Sequence, residues 1–184
     1  MEAYLGSLEW WKAAVWGEEF PLRRKELVRC RVAADGADSG ETVLTLPIVG
    51  GASALKREAP DTWRLSDHGN WPHVHCGALE AAYSRTPYFR HYADPLLEAL
   101  ANPPVLVGEL TAVCARWVRD SLRMEETLPQ LKAFITEKPE LAARIREDIG
   151  GKVRPQLSVA DALFRLGPDA IFAFIPAFIN EETR

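Results

Sequence analysis

The chain has 184 residues, of which 47% are hydrophobic and 26% charged, and its formal net charge at pH 7 is −4. This is the composition of an ordinary globular protein large enough to bury a core, so we expect one domain over residues 1–184. The negative net charge argues against a protein that nucleic acid attracts through its overall charge. Any anion site must therefore come from local basic side chains.

Cysteine content and hydropathy predict a cytoplasmic protein. The chain has three widely spaced cysteines, Cys30, Cys76 and Cys114. Because their number is odd and no zinc-ligand spacing is present, we expect reduced thiols rather than a disulfide framework or a zinc site. The N-terminus lacks the basic and apolar regions of a signal peptide. The most apolar stretch, residues 170–179, is interrupted by Pro176 and is too short to span a membrane. It is either the end of a core helix or a self-association surface, which leaves a homo-oligomer open.

The first half of the chain combines a helix with strand patterns. Apolar side chains at helical spacing predict a short entry and a helix in residues 4–16. Alternating side chains in residues 23–33 and 42–49 predict two strands, which a glycine-containing loop at residues 35–40 would join into a β-hairpin. Residues 61–65 predict a third, short strand.

Helical patterns dominate the second half. Asn70 precedes a predicted helix over residues 71–83 and is its expected N-cap, and residues 105–122 place apolar side chains on one stripe. We expect Pro129 and Pro139 in the first turns of later helices. The predicted fold class is α+β, with a small mixed or antiparallel sheet from the N-terminal half packed against a mainly helical C-terminal half.

The densest cluster of titratable groups lies in residues 67–75. At 100° per residue, Trp71 and His75 share the inward face of the predicted helix, whereas His73 points outward. His75 could act as a general base, and Asp67 could orient it or contact a ribose hydroxyl. Free N–H groups of the first helical turn could bind a phosphate or carboxylate. The residues of this region that we expect to contact a ligand are His68, Asn70, Trp71, His73 and Tyr83.

Two further interpretations of this cluster remain. An inward histidine is more often a hydrogen-bonded core residue than a catalyst. A metal site built from Asp67, His68, His73 and His75 is disfavoured, because His73 and His75 face apart on a helix. We therefore predict no metal ligand here, and the residues point to no particular cofactor.

A second constellation is basic. Arg29 and Arg31 alternate along the first predicted strand and project from one face of it. Two neighbouring guanidinium groups would suit a phosphate-bearing ligand. The alternative is a solvated edge strand whose charges prevent aggregation.

Several stretches of the chain carry a resemblance to a known family, among them TLPIV at residues 45–49 and GPDA at residues 167–170. Residues 65–75 read LSDHGNWPHVH, with a tryptophan and a histidine four residues apart, and residues 82–89 read AYSRTPYF. Residues 29–33 read RCRVA, and residues 157–164 read LSVADALF. Together these stretches resemble the WbqC-like protein family over nearly the whole chain.

The resemblance implies a cytoplasmic bacterial protein of surface-polysaccharide biosynthesis that transfers an acyl or aminoacyl group to a nucleotide-linked sugar. In this interpretation Arg29 and Arg31 bind the phosphate-bearing or sugar ligand. His75 is then the base, and Asp67 orients the imidazole or the ligand.

The rival hypothesis is a non-catalytic binding or assembly protein. Trp71 and His75 would then only fix the start of their helix, and the apolar residues 171–179 would mediate association. A buried, filled surrounding of His75 would favour this rival, and a solvent-connected pocket would favour the enzyme.

Overall fold

The computed structural model describes residues 2–34 and 40–177. Eight α-helices and a two-stranded antiparallel sheet lie within these residues, so the predicted α+β class with a helical C-terminal half is confirmed. In chain order the elements are α1 (Leu8–Trp16), β1 (Arg29–Ala33), β2 (Glu41–Thr45), α2 (Gly51–Arg57), α3 (Trp71–Tyr83), α4 (Phe89–Ala101), α5 (Val107–Ser121), α6 (Met124–Glu137), α7 (Pro139–Gly150) and α8 (Val159–Leu166). Short 3₁₀ helices occupy Arg24–Glu26, Pro60–Thr62 and Gly167–Phe174.

The predicted hairpin is confirmed, with shorter strands than expected. β1 pairs with β2 in a register that sets Arg29 opposite Thr45 and Arg31 opposite Val43. Because paired residues share a face of the sheet, these four side chains lie on its outer face. The predicted loop at residues 35–40 falls mostly on residues 35–39, which lie outside the described residues.

Three local predictions were wrong. Residues 61–65 do not form a third strand; Pro60–Thr62 is a 3₁₀ helix, and only isolated bridges follow, Ile48 with Leu65 and Arg64 with Leu106. Pro60 is the first residue of this 3₁₀ helix, a position where its fixed φ and missing N–H are tolerated. Residues 23–28 contain a 3₁₀ helix rather than strand. Pro129 lies in the second turn of α6 and not in its first, because that helix already begins at Met124.

The N-terminal segment is clamped between β1 and the start of α8. Tyr4 donates its backbone N–H to the Leu27 carbonyl at 3.0 Å, and Val159 donates to the Gly6 carbonyl at 3.0 Å. The backbone N–H of Ser158 bonds to the Arg31 carbonyl at 2.7 Å. Tyr4 is thereby buried in the core between the hairpin and α3.

The apolar stretch near residue 170 belongs to the core. Ala170, Phe174 and Ile175 are buried against the helices, as the core-end interpretation predicts. These side chains are therefore not available for the alternative self-association surface, and Phe178 and Ile179 lie outside the described residues. Within the described ranges, no helix has both the length and the apolar character needed to cross a membrane.

Candidate functional site

The expected site residues do not form one pocket. Arg29 and Arg31 line one cavity, and Asp67, Asn70 and Trp71 line another, with no residue common to the two. His75 and Tyr83 are buried and line neither cavity, and neither do the exposed side chains of His68 and His73.

His75 is a buried residue with a hydrogen-bonded ring. The α3 helix starts at Trp71. Because Trp71 and His75 are four residues apart, both side chains point inward, whereas His73 is exposed, as predicted. The side chain is 4% exposed, and the Tyr4 hydroxyl lies 2.8 Å from Nδ1. The Tyr4 ring stacks on the imidazole at 5.7 Å between centroids, and Trp71 meets it edge-on at 5.2 Å.

Burial lowers the pKa of His75 from 6.5 to about 4, because the charged imidazolium loses its hydration. A hydrogen bond with the Thr45 backbone acts in the opposite direction and favours a ring proton. With the ring N–H directed at that carbonyl, Nδ1 is the unprotonated nitrogen and accepts from the Tyr4 hydroxyl. The imidazole is therefore neutral at pH 7 and both ring nitrogens have protein partners.

This burial predicts that acid destabilises the protein through His75. His75 binds a proton near pH 6.5 in the unfolded chain and only near pH 4 in the folded chain. The stability that the neutral imidazole contributes is therefore fully present above pH 6.5 and is lost as the pH falls toward 4. The shift corresponds to roughly 3 kcal/mol of unfolding free energy between these pH values. Urea titrations at pH 7.0 and 4.0 should show it.

The control for the acid effect is His75→Gln, which has no titrating ring. This variant should be less stable at pH 7 but should lose markedly less stability on acidification than the wild type. An equal pH dependence in the two proteins would contradict the assignment.

Trp71 and Tyr83 also serve the core. Trp71 Nε1 donates to the Ser66 carbonyl at 3.0 Å, which holds the chain entering α3. Tyr83 accepts the Ala33 backbone N–H at 3.0 Å and shares a hydrogen bond with the buried Asp161. Burial is the main cause of the strongly raised pKa of Tyr83. These contacts fasten α3 to β1 and α8.

The prediction that the Asn70 side chain caps α3 is wrong. Asn70 precedes the helix, but its side chain makes no capping hydrogen bond, and its backbone has φ −99° and ψ 47°. An N-cap residue normally has extended backbone angles, from which its side chain can reach the N2 or N3 amide. Here the chain enters through Gly69 at φ +74°.

The first cavity is the Asp67 cleft, of about 530 Å³, beside the start of α3. It is lined by Asp67, Trp71 and Arg64 together with Pro103 and Pro104. One carboxylate and one guanidinium face this cleft, so its charges balance and give no preference for an anion. Asp67 is placed to meet a ligand here, but His75 is not beside it in this cavity.

The second cavity is the basic groove, of about 280 Å³, on the outer face of the hairpin. Lys25, Arg29 and Arg31 line it. Arg31 lies 3.4 Å from Glu41, whereas Arg29 and Lys25 have no ion-pair partner within the described part of the chain. The remaining wall consists of Ala3, Gly6, Ser7, Glu9, Phe20, Leu22, Glu26, Cys30, Val43 and Gln156.

The groove contains residues that the sequence patterns did not indicate. Glu9 and Glu26 supply carboxylates, and Phe20 and Val43 are exposed apolar side chains. They come from α1, the segment after it and β2, and nothing in their spacing along the chain shows that they meet.

The described residues bring no three histidine, cysteine, aspartate or glutamate side chains together in a way that could hold a metal ion. Cys30 and Cys114 are buried free thiols, and Cys76 is a partly buried one.

Comparison with known proteins adds one finding. The family model of the WbqC-like protein family matches residues 23–154, which include Arg29, Arg31 and all of α3. Tyr4, Glu9, Phe20 and Ser158 lie outside the matched range. Neither the curated proteins nor the solved structures contain a match to the chain.

Proposed function

The chain belongs to the WbqC-like protein family, and on that premise we propose that it binds a small phosphate-bearing sugar ligand in the basic groove. The observation that carries the proposal is the pair of unpaired cations, Arg29 and Lys25, beside Arg31. Three cations line the groove against two carboxylates, Glu9 and Glu26, and a bound anion would offset the excess positive charge.

The other polar groups of the groove suit the sugar part of such a ligand. Carboxylates accept hydrogen bonds from sugar hydroxyls, and Glu9 and Glu26 line the same groove as the cations. The Glu26 side chain also accepts the Arg23 backbone N–H at 2.7 Å, which fixes its position. A phosphate at the arginines and a hydroxyl at these acids would give the ligand a defined orientation.

The finer form of the proposal is that the ligand is a nucleotide-linked sugar of surface-polysaccharide biosynthesis and that an acyl or aminoacyl group is transferred to it. The family resemblance and the cationic groove support the choice of ligand. The base first expected for the transfer, His75, is buried and hydrogen-bonded to Tyr4, so the geometry favours a structural role for it. Glu9 is the exposed carboxylate that a transfer in the groove would use.

The rival assembly function draws support from the same burial of Trp71 and His75. The part of this hypothesis in which residues 171–179 mediate association is weakened, because Ile171, Phe174 and Ile175 lie within the core. A homo-oligomer would need another surface, and light scattering on the full chain determines whether one forms.

We expect Arg29→Gln to weaken binding of pyrophosphate and of UDP-glucose about tenfold, because one charge-assisted hydrogen bond to phosphate is lost. Isothermal titration calorimetry at 50 and 200 mM salt measures the change. The wild-type affinity should fall with salt, since the groove and the ligand carry opposite charges.

The matched control is Arg116→Gln, which removes an exposed arginine of α5 that does not line the groove. Its affinity should equal that of the wild type. Equal losses in the two variants, or no pyrophosphate binding by the wild-type chain, would exclude the groove as the phosphate site.

A further inference from the structure

A third cavity, of about 250 Å³, lies between α1, α7 and the 3₁₀ helix Gly167–Phe174. Its wall is mainly apolar and is formed by Leu8, Ile149, Val153 and Ala173. Leu8, Ile149 and Val153 belong to the buried core, so the floor of the cavity is the core itself. We name it the apolar cavity.

Two cations stand at the edge of the apolar cavity. Lys12 projects from α1 and Arg146 from α7, and both are half-buried. Arg146 uses Nη1 to donate to the carbonyls of Pro176 at 3.3 Å and Ala177 at 2.8 Å. Within the described residues, Lys12 has no hydrogen bond or ion pair, and no carboxylate pairs with Arg146.

No carboxylate of the described residues makes an ion pair with the Lys12 ammonium group, although Glu18 acts on it electrostatically. Burial, and secondly the nearby Arg146, lower the pKa of the Lys12 ammonium group, while Glu18 acts in the opposite direction. A half-buried ammonium beside a guanidinium is unfavourable unless an anion approaches both. Glu9 also lines the cavity, and a single carboxylate leaves an excess of one positive charge.

From these observations we propose that the apolar cavity is a second binding site and that it takes a small carboxylate carrying an apolar chain. The carboxylate lies between Lys12 and Arg146, and the chain lies against Leu8, Ile149 and Val153. The charge excess selects the anion and the apolar floor selects the chain, so neither a plain anion nor a neutral chain satisfies both parts.

The proposal does not depend on the phosphate site, although the two cavities are neighbours. Glu9 lines both, and the adjacent residues Pro155 and Gln156 line one each. A carboxylate-derived group held here would therefore lie beside a sugar ligand held in the basic groove. The proposed site would remain if the groove bound no phosphate.

The test uses three probes, hexanoate, hexanol and acetate, titrated into the full chain and followed by NMR chemical shifts or calorimetry. Hexanoate should bind at least tenfold more tightly than hexanol, which lacks the charge, and than acetate, which lacks the chain. Equal affinity for hexanoate and acetate, or for hexanoate and hexanol, overturns the proposal, as does the absence of hexanoate binding at millimolar concentration.

Variants locate the binding. Lys12→Gln should reduce the affinity for hexanoate to that for hexanol, and Lys56→Gln, an exposed lysine of α2, is the matched control and should change nothing. Ala173→Phe should abolish binding by filling the cavity. Gly150→Leu is a second filling variant, since Gly150 lines the cavity and a Cβ there meets no atom within 4 Å. Unchanged hexanoate binding in a folded filling variant overturns the site, and unchanged binding in Arg29→Gln supports its independence from the groove.

Discussion

Replacing His75 by alanine should lower the free energy of unfolding by roughly 3 to 5 kcal/mol without changing pyrophosphate affinity in the basic groove. The imidazole is 4% exposed and fills the space between Tyr4 and Trp71, so its removal leaves a cavity in the core. The Tyr4 hydroxyl would also lose the acceptor that lies 2.8 Å away. Chemical denaturation at pH 7 measures the loss.

The control for this prediction is His73→Ala, two residues earlier on the exposed face of α3. It should change stability by less than about 0.5 kcal/mol, as surface substitutions do. Tyr4→Phe should lie between the two, at roughly 1 to 3 kcal/mol, because it leaves the imidazole Nδ1 buried without a donor. A His75→Ala variant of full stability that had lost a transferase activity would instead restore His75 as a catalyst.

The inward direction of His75 could be predicted, but the identity of its neighbour could not. Helical periodicity fixes which residues of 71–83 share a face, and the helix has the predicted bounds. Tyr4 lies 71 residues earlier in the chain, in a segment without regular structure. No periodic pattern connects the two, so the sequence left a catalytic base and a core residue as alternatives.

The same limit explains why two cavities were expected to be one. Alternation along β1 correctly places Arg29 and Arg31 on one exposed face. The cluster at residues 67–75 begins α3, which packs against β1 through the opposite, inner face of the hairpin. Each local pattern was sound, but their relative position depends on packing between elements that are distant in sequence.

The wrong strand at residues 61–65 has a different cause. Its alternation of polar and apolar side chains resembles a half-buried strand, and Trp63 and Leu65 do face inward. The backbone of this segment makes isolated hydrogen bonds to residues 105 and 107. The Val107 N–H donates to the Trp63 carbonyl at 2.9 Å, and the Leu65 N–H donates to the Val105 carbonyl at 2.8 Å. A pattern of burial therefore arose without a ladder of hydrogen bonds, which the side-chain period does not reveal.

Replacing Asp161 by alanine should cost roughly 3 kcal/mol of unfolding free energy, because it breaks a buried polar cluster and leaves its partners in place. Asp161 is 2% exposed in the first turn of α8 and lies 3.0 Å from Arg165 Nε. It also accepts from the Tyr83 hydroxyl, which in turn receives the Ala33 backbone N–H. Since Arg165 keeps part of its hydration, much of the cost falls on the Tyr83 O–H group, which would lose its acceptor.

The matched control is Asp148→Ala, which breaks the exposed pair with Lys152, whose two residues are also four positions apart in the chain. That change should cost less than about 0.5 kcal/mol, as for most exposed ion pairs. The second comparison is the double variant with Tyr83→Phe and Asp161→Ala. It should be no less stable than Asp161→Ala alone, because the buried hydroxyl that lacked an acceptor is gone. Equal losses for Asp148→Ala and Asp161→Ala would mean that the cluster does not fasten α3 to β1 and α8.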